Sequence, residues 1–95
     1  MKILKFKEFC ALDAGAIFSY YEPSICTGLH RKGETISWDG APHDFFESHL
    51  VPQCWNGDLP TVDEIESRWG LYEYDQLFAV LEPADISAVI KLLST

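Results

Sequence analysis

The apolar positions change period several times along this chain, and each change marks an element. Between Lys5 and Leu12, Phe6, Phe9 and Cys10 fall at i, i+3 and i+4, which predicts a short helix with one apolar stripe. Asp13-Ala14-Gly15 is a turn signal that ends it. Ala16 to Tyr21 is aromatic and branched and predicts a strand, stopped by Pro23. Ile25–Arg31 and Glu34–Trp38 then read as the arms of a hairpin, with Lys32-Gly33 as its tight turn. Ile36 and Trp38 alternate with Thr35 and Ser37, a period of two that implies one buried face. Asp39-Gly40 makes another turn, and Asp44 to Val51 predicts a further strand with Phe45 or Phe46 inward, a short helix being the alternative.

Two prolines and Asn56-Gly57-Asp58 make residues 52–60 a loop. Thr61-Val62-Asp63-Glu64 fits a capping box that opens a helix, with Gly70 ending it just past Trp69. The unbroken apolar run Leu77 to Leu81 suits a central strand covered on both faces. Pro83 and Asp85 suit a helix N-terminus, and Ile86, Val89, Ile90 and Leu93 recur at helical spacing behind them. The expected fold is one α+β domain over residues 1–95, with a mainly antiparallel sheet of four to five strands and two to three helices.

Composition fits that picture. A chain of 95 residues buries somewhat over ~60% of its unfolded surface, enough for a small core. Six Phe, four Tyr and three Trp give it the apolar content that disordered chains lack. No run approaches the roughly 18 apolar residues of a membrane span, and Lys5 and Lys7 cut short the one apolar stretch that resembles a leader. Cys10, Cys26 and Cys54 are an odd, widely spaced set, which favours free thiols in a reducing cytoplasm over a disulfide framework. Cys10 and Cys26 lie among apolar residues and are expected to be small buried hydrophobes.

Charge changes the picture most. Through Ser37 there are five bases (Lys2, Lys5, Lys7, Arg31, Lys32) against four acids, a net of +1. From Trp38 onward two bases, Arg68 and Lys91, face eleven acids, a net of −9, and the two sums give the formal −8. A balance this acidic repels nucleic acid and anionic membrane and attracts basic protein surfaces.

Catalytic and metal motifs are weak by comparison. His30, His43, His49 and Cys54, with Asp44 nearby, include the right ligand types. Their gaps lack the close pairs that pre-form a zinc site, so they read as surface or partly satisfied histidines, with no metal or other cofactor expected. Cys54 with His43 or His49 has the residue types of a nucleophile and base, yet nothing in the spacing brings them together, and no enzymatic activity is expected. The six Gly form no phosphate-binding loop. What remains is an acidic and aromatic stretch: Trp55, Trp69, Tyr72 and Tyr74 interleaved with Asp58, Asp63, Glu66, Glu73 and Asp75. Aromatic anchors ringed by charge are the usual make-up of a protein–protein hot spot, and these nine residues are the expected partner-binding set. The bland alternative makes Trp69 and Tyr72 core residues and the acids a solvated face.

Lys5-Phe6-Lys7-Glu8-Phe9 with Leu12, Gly15-Ala16-Ile17-Phe18, Tyr21-Glu22-Pro23, Gly28-Leu29 and Lys32-Gly33 resemble a pattern of small phage and prophage proteins. The pattern covers about a third of the chain and implies no catalytic residue. In size and acidity alone the chain is also similar to phage anti-CRISPR proteins. The expectation is therefore a small acidic cytoplasmic inhibitor that binds a basic surface of a bacterial nucleic-acid-handling defence protein, without itself touching nucleic acid or membrane. The alternatives are a nucleotide or other small-molecule module, with Arg31, Lys32 or Arg68 on a phosphate, and an immunity protein or antitoxin of a basic nuclease. A homodimer through an exposed sheet edge is also compatible.

Overall fold

The computed structural model describes residues 1–51 and 66–94. The described chain runs β1 (Lys2–Lys5), α1 (Phe6–Cys10), β2 (Ile17–Glu22), β3 (Ile25–Trp38), β4 (Ala41–His49), β5 (Ser67–Arg68), β6 (Leu77–Val80) and α2 (Pro83–Leu93). The strands form one antiparallel sheet in the order β1-β6-β2-β3-β4-β5. The α+β class holds, but six strands replace the four to five expected. β1 and β5 are added, four and two residues long and too short to leave a periodic signal, while the two expected hairpin arms are one continuous strand, β3.

The sheet curls around α1, which touches β1 and β6 on one side and β4 on the other. The i, i+3, i+4 stripe explains why: Phe6, Phe9 and Cys10 are all buried beneath it. Phe9 lies flat on Phe78 at 4.0 Å and meets Phe18 and Phe45 edge-on at 4.7 and 5.1 Å. Trp69 closes the core by stacking on Phe6 and Phe45. Phe45, not Phe46, is thus the inward residue of β4. The apolar run Leu77–Val80 sits between β1 and β2 as a central strand, with Phe78, Ala79 and Val80 buried.

Lys32-Gly33 is not a hairpin turn. β3 continues through it, and the register against β4 slips by one residue between Lys32 and Thr35. This is a β-bulge, in which an extra residue kinks a strand without reversing it. Glycine is needed there for close approach, since a Cβ on Gly33 would stand 2.9 Å from Cβ of Phe46. The real β3–β4 reversal is Asp39-Gly40, where both residues have positive φ, 53° and 74°.

Two further expectations need correction. The helix expected to end at Gly70 does not reach that point: Ser67–Arg68 pair with β4 as a strand, while residues 61–65 lie outside the described set. Pairing with the edge of β4 satisfies that backbone instead of an i to i+4 ladder. Cys26 is exposed rather than buried, because it stands opposite Tyr21 near the tip of the β2–β3 hairpin, away from α1. Cys10 is buried, and burial pushes its thiol up to about 11. Iodoacetamide applied to the native protein at about pH 8 should therefore label Cys26 and spare Cys10, because the thiolate is the reactive form. Peptide mass mapping reads the outcome; equal labelling would mean that α1 opens readily.

The last helix forms where expected, with Pro83 in its first turn and the Glu82 N–H bonded to the Asp85 carboxylate. Its apolar stripe, however, covers little. No residue of α2 is buried, and Val89, Ile90 and Leu93 are exposed. Among the described residues no helix is long and apolar enough to cross a membrane.

Candidate functional site

Two regions concentrate chemistry. The first is a cleft of about 470 Å³ over the far end of the concave face, lined by Tyr20, His30, Glu47, His49, Arg68 and Trp69 among others. Sheet register builds its floor. His30 on β3 stands directly opposite His49 on β4. Glu47 is two residues from His49, so the period of two points it to the same face. A second bulge, between Phe18 and Tyr20 of β2, leaves an extra residue in β3 near Gly28. Gly28 has φ 73°, and a Cβ there would stand 2.4 Å from Nε2 of His30. The glycine thus lets the imidazole fold back onto the strand, with Nδ1 directed at Glu47. Ser19 Oγ fixes the bulge by donating to the Gly28 carbonyl at 2.5 Å.

His30 is 6% exposed, stacked on Phe18 and edge-on to Tyr20 and His49. Burial, aided by the neighbouring His49, pushes it down to about 4, so its imidazole is neutral at pH 7. Nδ1 of His30 lies 3.4 Å from Oε1 of Glu47, and Nε2 of His49 lies 3.5 Å from the same oxygen. The other carboxylate oxygen accepts a short hydrogen bond from the Tyr20 hydroxyl. Burial raises Glu47 above the usual carboxylate range, while the Tyr20 hydrogen bond and His49 oppose that shift. Burial, followed by the Glu47 hydrogen bond, raises the Tyr20 phenol.

The structure therefore brings together two of the four ligand candidates read from the sequence. His43 lies elsewhere, stacked on Trp38 at 4.1 Å, and Cys54 lies outside the described residues. Asp44 is fully buried in another role: its carboxylate accepts from Arg68 Nε and from the Gly70 N–H, each at 2.9 Å. Glu47 and Tyr20 were missed. Glu47-Ser48-His49, an i, i+2 pair on a strand, was the available signal.

The second region is the acidic and aromatic surface. Of the nine expected partner-binding residues, Trp55, Asp58 and Asp63 lie outside the described set. Trp69 is buried in the core and cannot act as an exposed anchor. Tyr72 and Tyr74 are 42% and 51% exposed, and Glu66, Glu73 and Asp75 are exposed. Tyr72 accepts from Arg68 at 2.7 Å, and Tyr74 meets His43 Nδ1 at 2.9 Å. The missed member is Trp38, 43% exposed, which lies 6.2 Å from Tyr72 and stacks on His43. Trp38, His43, Tyr72 and Tyr74 thus form one exposed aromatic platform. Beyond it Glu73 and Asp75 line a groove of about 530 Å³ together with Glu22.

The cations proposed for a phosphate are largely committed. Lys32 is 1% exposed, with Nζ on the carbonyls of Leu12 and Gly33 and on Thr35 Oγ1. Arg68 is paired with Asp44 at 2.8 Å. Comparison of the chain with protein-family models, curated proteins and solved structures gives no match, so the functional reading rests on these two regions.

Proposed function

We propose that this chain is a small acidic protein-binding inhibitor, encoded by a phage or other mobile element, that covers a basic nucleic-acid-handling surface of a bacterial defence protein. The observation that carries this reading is the contiguous exposed platform of Trp38, Tyr72 and Tyr74 flanked by Glu73 and Asp75. Large rings held by neighbours lose little freedom on binding, which is why Trp and Tyr dominate hot spots. Carboxylates beside them speed encounter with Lys- and Arg-rich surfaces and reject acidic ones. The formal charge of −8 acts in the same direction over longer range. An immunity protein for a basic nuclease would use the same electrostatics.

The test is capture of partners from a bacterial lysate by the tagged protein, washed at low and at high salt. The expected result is a stoichiometric nucleic-acid-binding protein released by salt. Against that partner, Trp38→Ala should weaken affinity about 30-fold, the ~2 kcal/mol of a hot-spot residue. Charge reversal at Asp63, Glu66, Glu73 and Asp75 should weaken it further and flatten its salt dependence. Unchanged affinity in both variants would remove this surface from the function.

A further inference from the structure

We propose that His30, Glu47 and His49 form a binding site for a divalent late first-row transition ion, of which zinc is the type. The residues are two imidazoles and one carboxylate, a ligand set that such ions accept. Their spacing is the first argument. In a tetrahedral site with bonds of roughly 2.0–2.1 Å, neighbouring ligand atoms stand about 3.3 Å apart. Here the two nitrogen-to-oxygen separations are 3.4 and 3.5 Å, and no two of the three ligand atoms lie farther apart than 4.8 Å. The two nitrogen-to-oxygen separations are long for hydrogen bonds but close to the edges of a coordination tetrahedron. The nitrogen-to-nitrogen gap, bounded only by 4.8 Å, can exceed the roughly 4.2 Å that two such bonds span, so binding draws the half-buried His49 inward.

Orientation is the second argument. Nδ1 of His30 is buried and has no hydrogen-bond partner, although it is aimed at the other two ligands. A buried nitrogen left in that state costs free energy that a metal bond would repay. The third argument is support behind the ligands. The Tyr20 hydroxyl holds the Glu47 oxygen that faces away from the histidines, leaving Oε1 toward both nitrogens. Carboxylate ligands of metal centres are commonly held in this way by a second group. Gly28 and the stacked Phe18 fix the His30 ring in the same sense. Three protein ligands leave one coordination position, and the cleft of about 470 Å³ gives water or a small ligand access to it.

The experiment is titration of the metal-free full chain with Zn2+ by calorimetry and with Co2+ by visible absorption. The expected result is one ion per chain, with tetrahedral Co2+ bands in the visible and no thiolate-to-metal band in the near ultraviolet. His49→Ala, a change at a half-buried rim position, should weaken binding about 100-fold or more, and Tyr20→Phe about 10-fold. His43→Ala should leave affinity within about twofold, because His43 belongs to the aromatic platform. Three results would overturn the proposal: no binding by the wild-type chain, binding that survives His49→Ala in a protein with native circular dichroism, or a thiolate band that moves the site to a cysteine.

Discussion

Phe9→Ala is expected to cost the domain about 4 kcal/mol. Phe9 on α1 meets β2, β4 and β6 at once, through Phe18, Phe45 and Phe78. It is fully buried, so truncation removes the whole transfer free energy of the ring and leaves a cavity where the curled sheet closes on the helix. The neighbouring rings cannot all collapse into that space, because each is held by a strand in fixed register. A domain of this size has a total stability near the low end of roughly 5–15 kcal/mol. The variant should therefore lose most of its urea midpoint and some 20 °C or so of melting temperature. Phe9→Leu keeps most of the volume and should lose less than half as much. Equal losses would mean that ring stacking, and not filled volume, holds the helix.

Lys32→Ala is the second large effect, about 3 kcal/mol in the same denaturation experiment. Lysine is rarely buried, and burial lowers the pKa of this one. What holds it is the end of α1. Its ammonium donates to the Leu12 carbonyl at 2.9 Å and to Thr35 Oγ1 at 2.9 Å, and Thr35 in turn donates to the Cys10 carbonyl at 2.7 Å. The carbonyls at and beyond the C-terminus of a helix have no partner within it, and a cation there also meets the negative end of its dipole. Alanine would strand those acceptors and empty the space of the four-carbon stem. Methionine fills the stem's space but donates nothing, so Lys32→Met isolates the hydrogen-bond part and should cost about half as much. If the two variants were equally unstable, the stem would contribute nothing.

The sequence was most legible where one period ran long enough against one environment. The Phe6, Phe9, Cys10 stripe and the apolar run before Pro83 both led to the right element, since each is read from local chemistry. Trp69 and Lys32 misled because their roles depend on partners distant in the chain. An exposed-looking tryptophan beside acids proved to be the lid over Phe6 and Phe45, and a lysine read as a turn residue proved to bond the Leu12 carbonyl just past the end of α1. Gly33 carried a true signal with the wrong meaning: glycine marks a turn and a close backbone approach equally well, and only the partner strand decides between them. The histidine cleft was half visible. His30 and His49 are nineteen positions apart, and only cross-strand register makes them neighbours. The acidic surface followed directly from charge counting, whereas Trp38 joined it through the reversal at Asp39-Gly40, which the sequence marked only as a turn after placing the hairpin at Lys32-Gly33.

The central position of β6 has a consequence for the order in which this chain acquires structure. Strands β2, β3 and β4 are joined by tight reversals and pair with sequence neighbours, but β1 has β6 as its sheet neighbour. Until Leu77–Val80 have left the ribosome, the first strand has nothing to pair with and Phe9 lacks the ring it stacks on. A nascent chain that ends before that point holds a three-stranded meander with an open edge along β2, where β6 will later pair. Closure of the sheet therefore waits on contacts between β1 and β6, strands that lie far apart in the described chain. Such long-range contacts slow folding. They also make the unclosed chain the species most exposed to a chaperone or to aggregation.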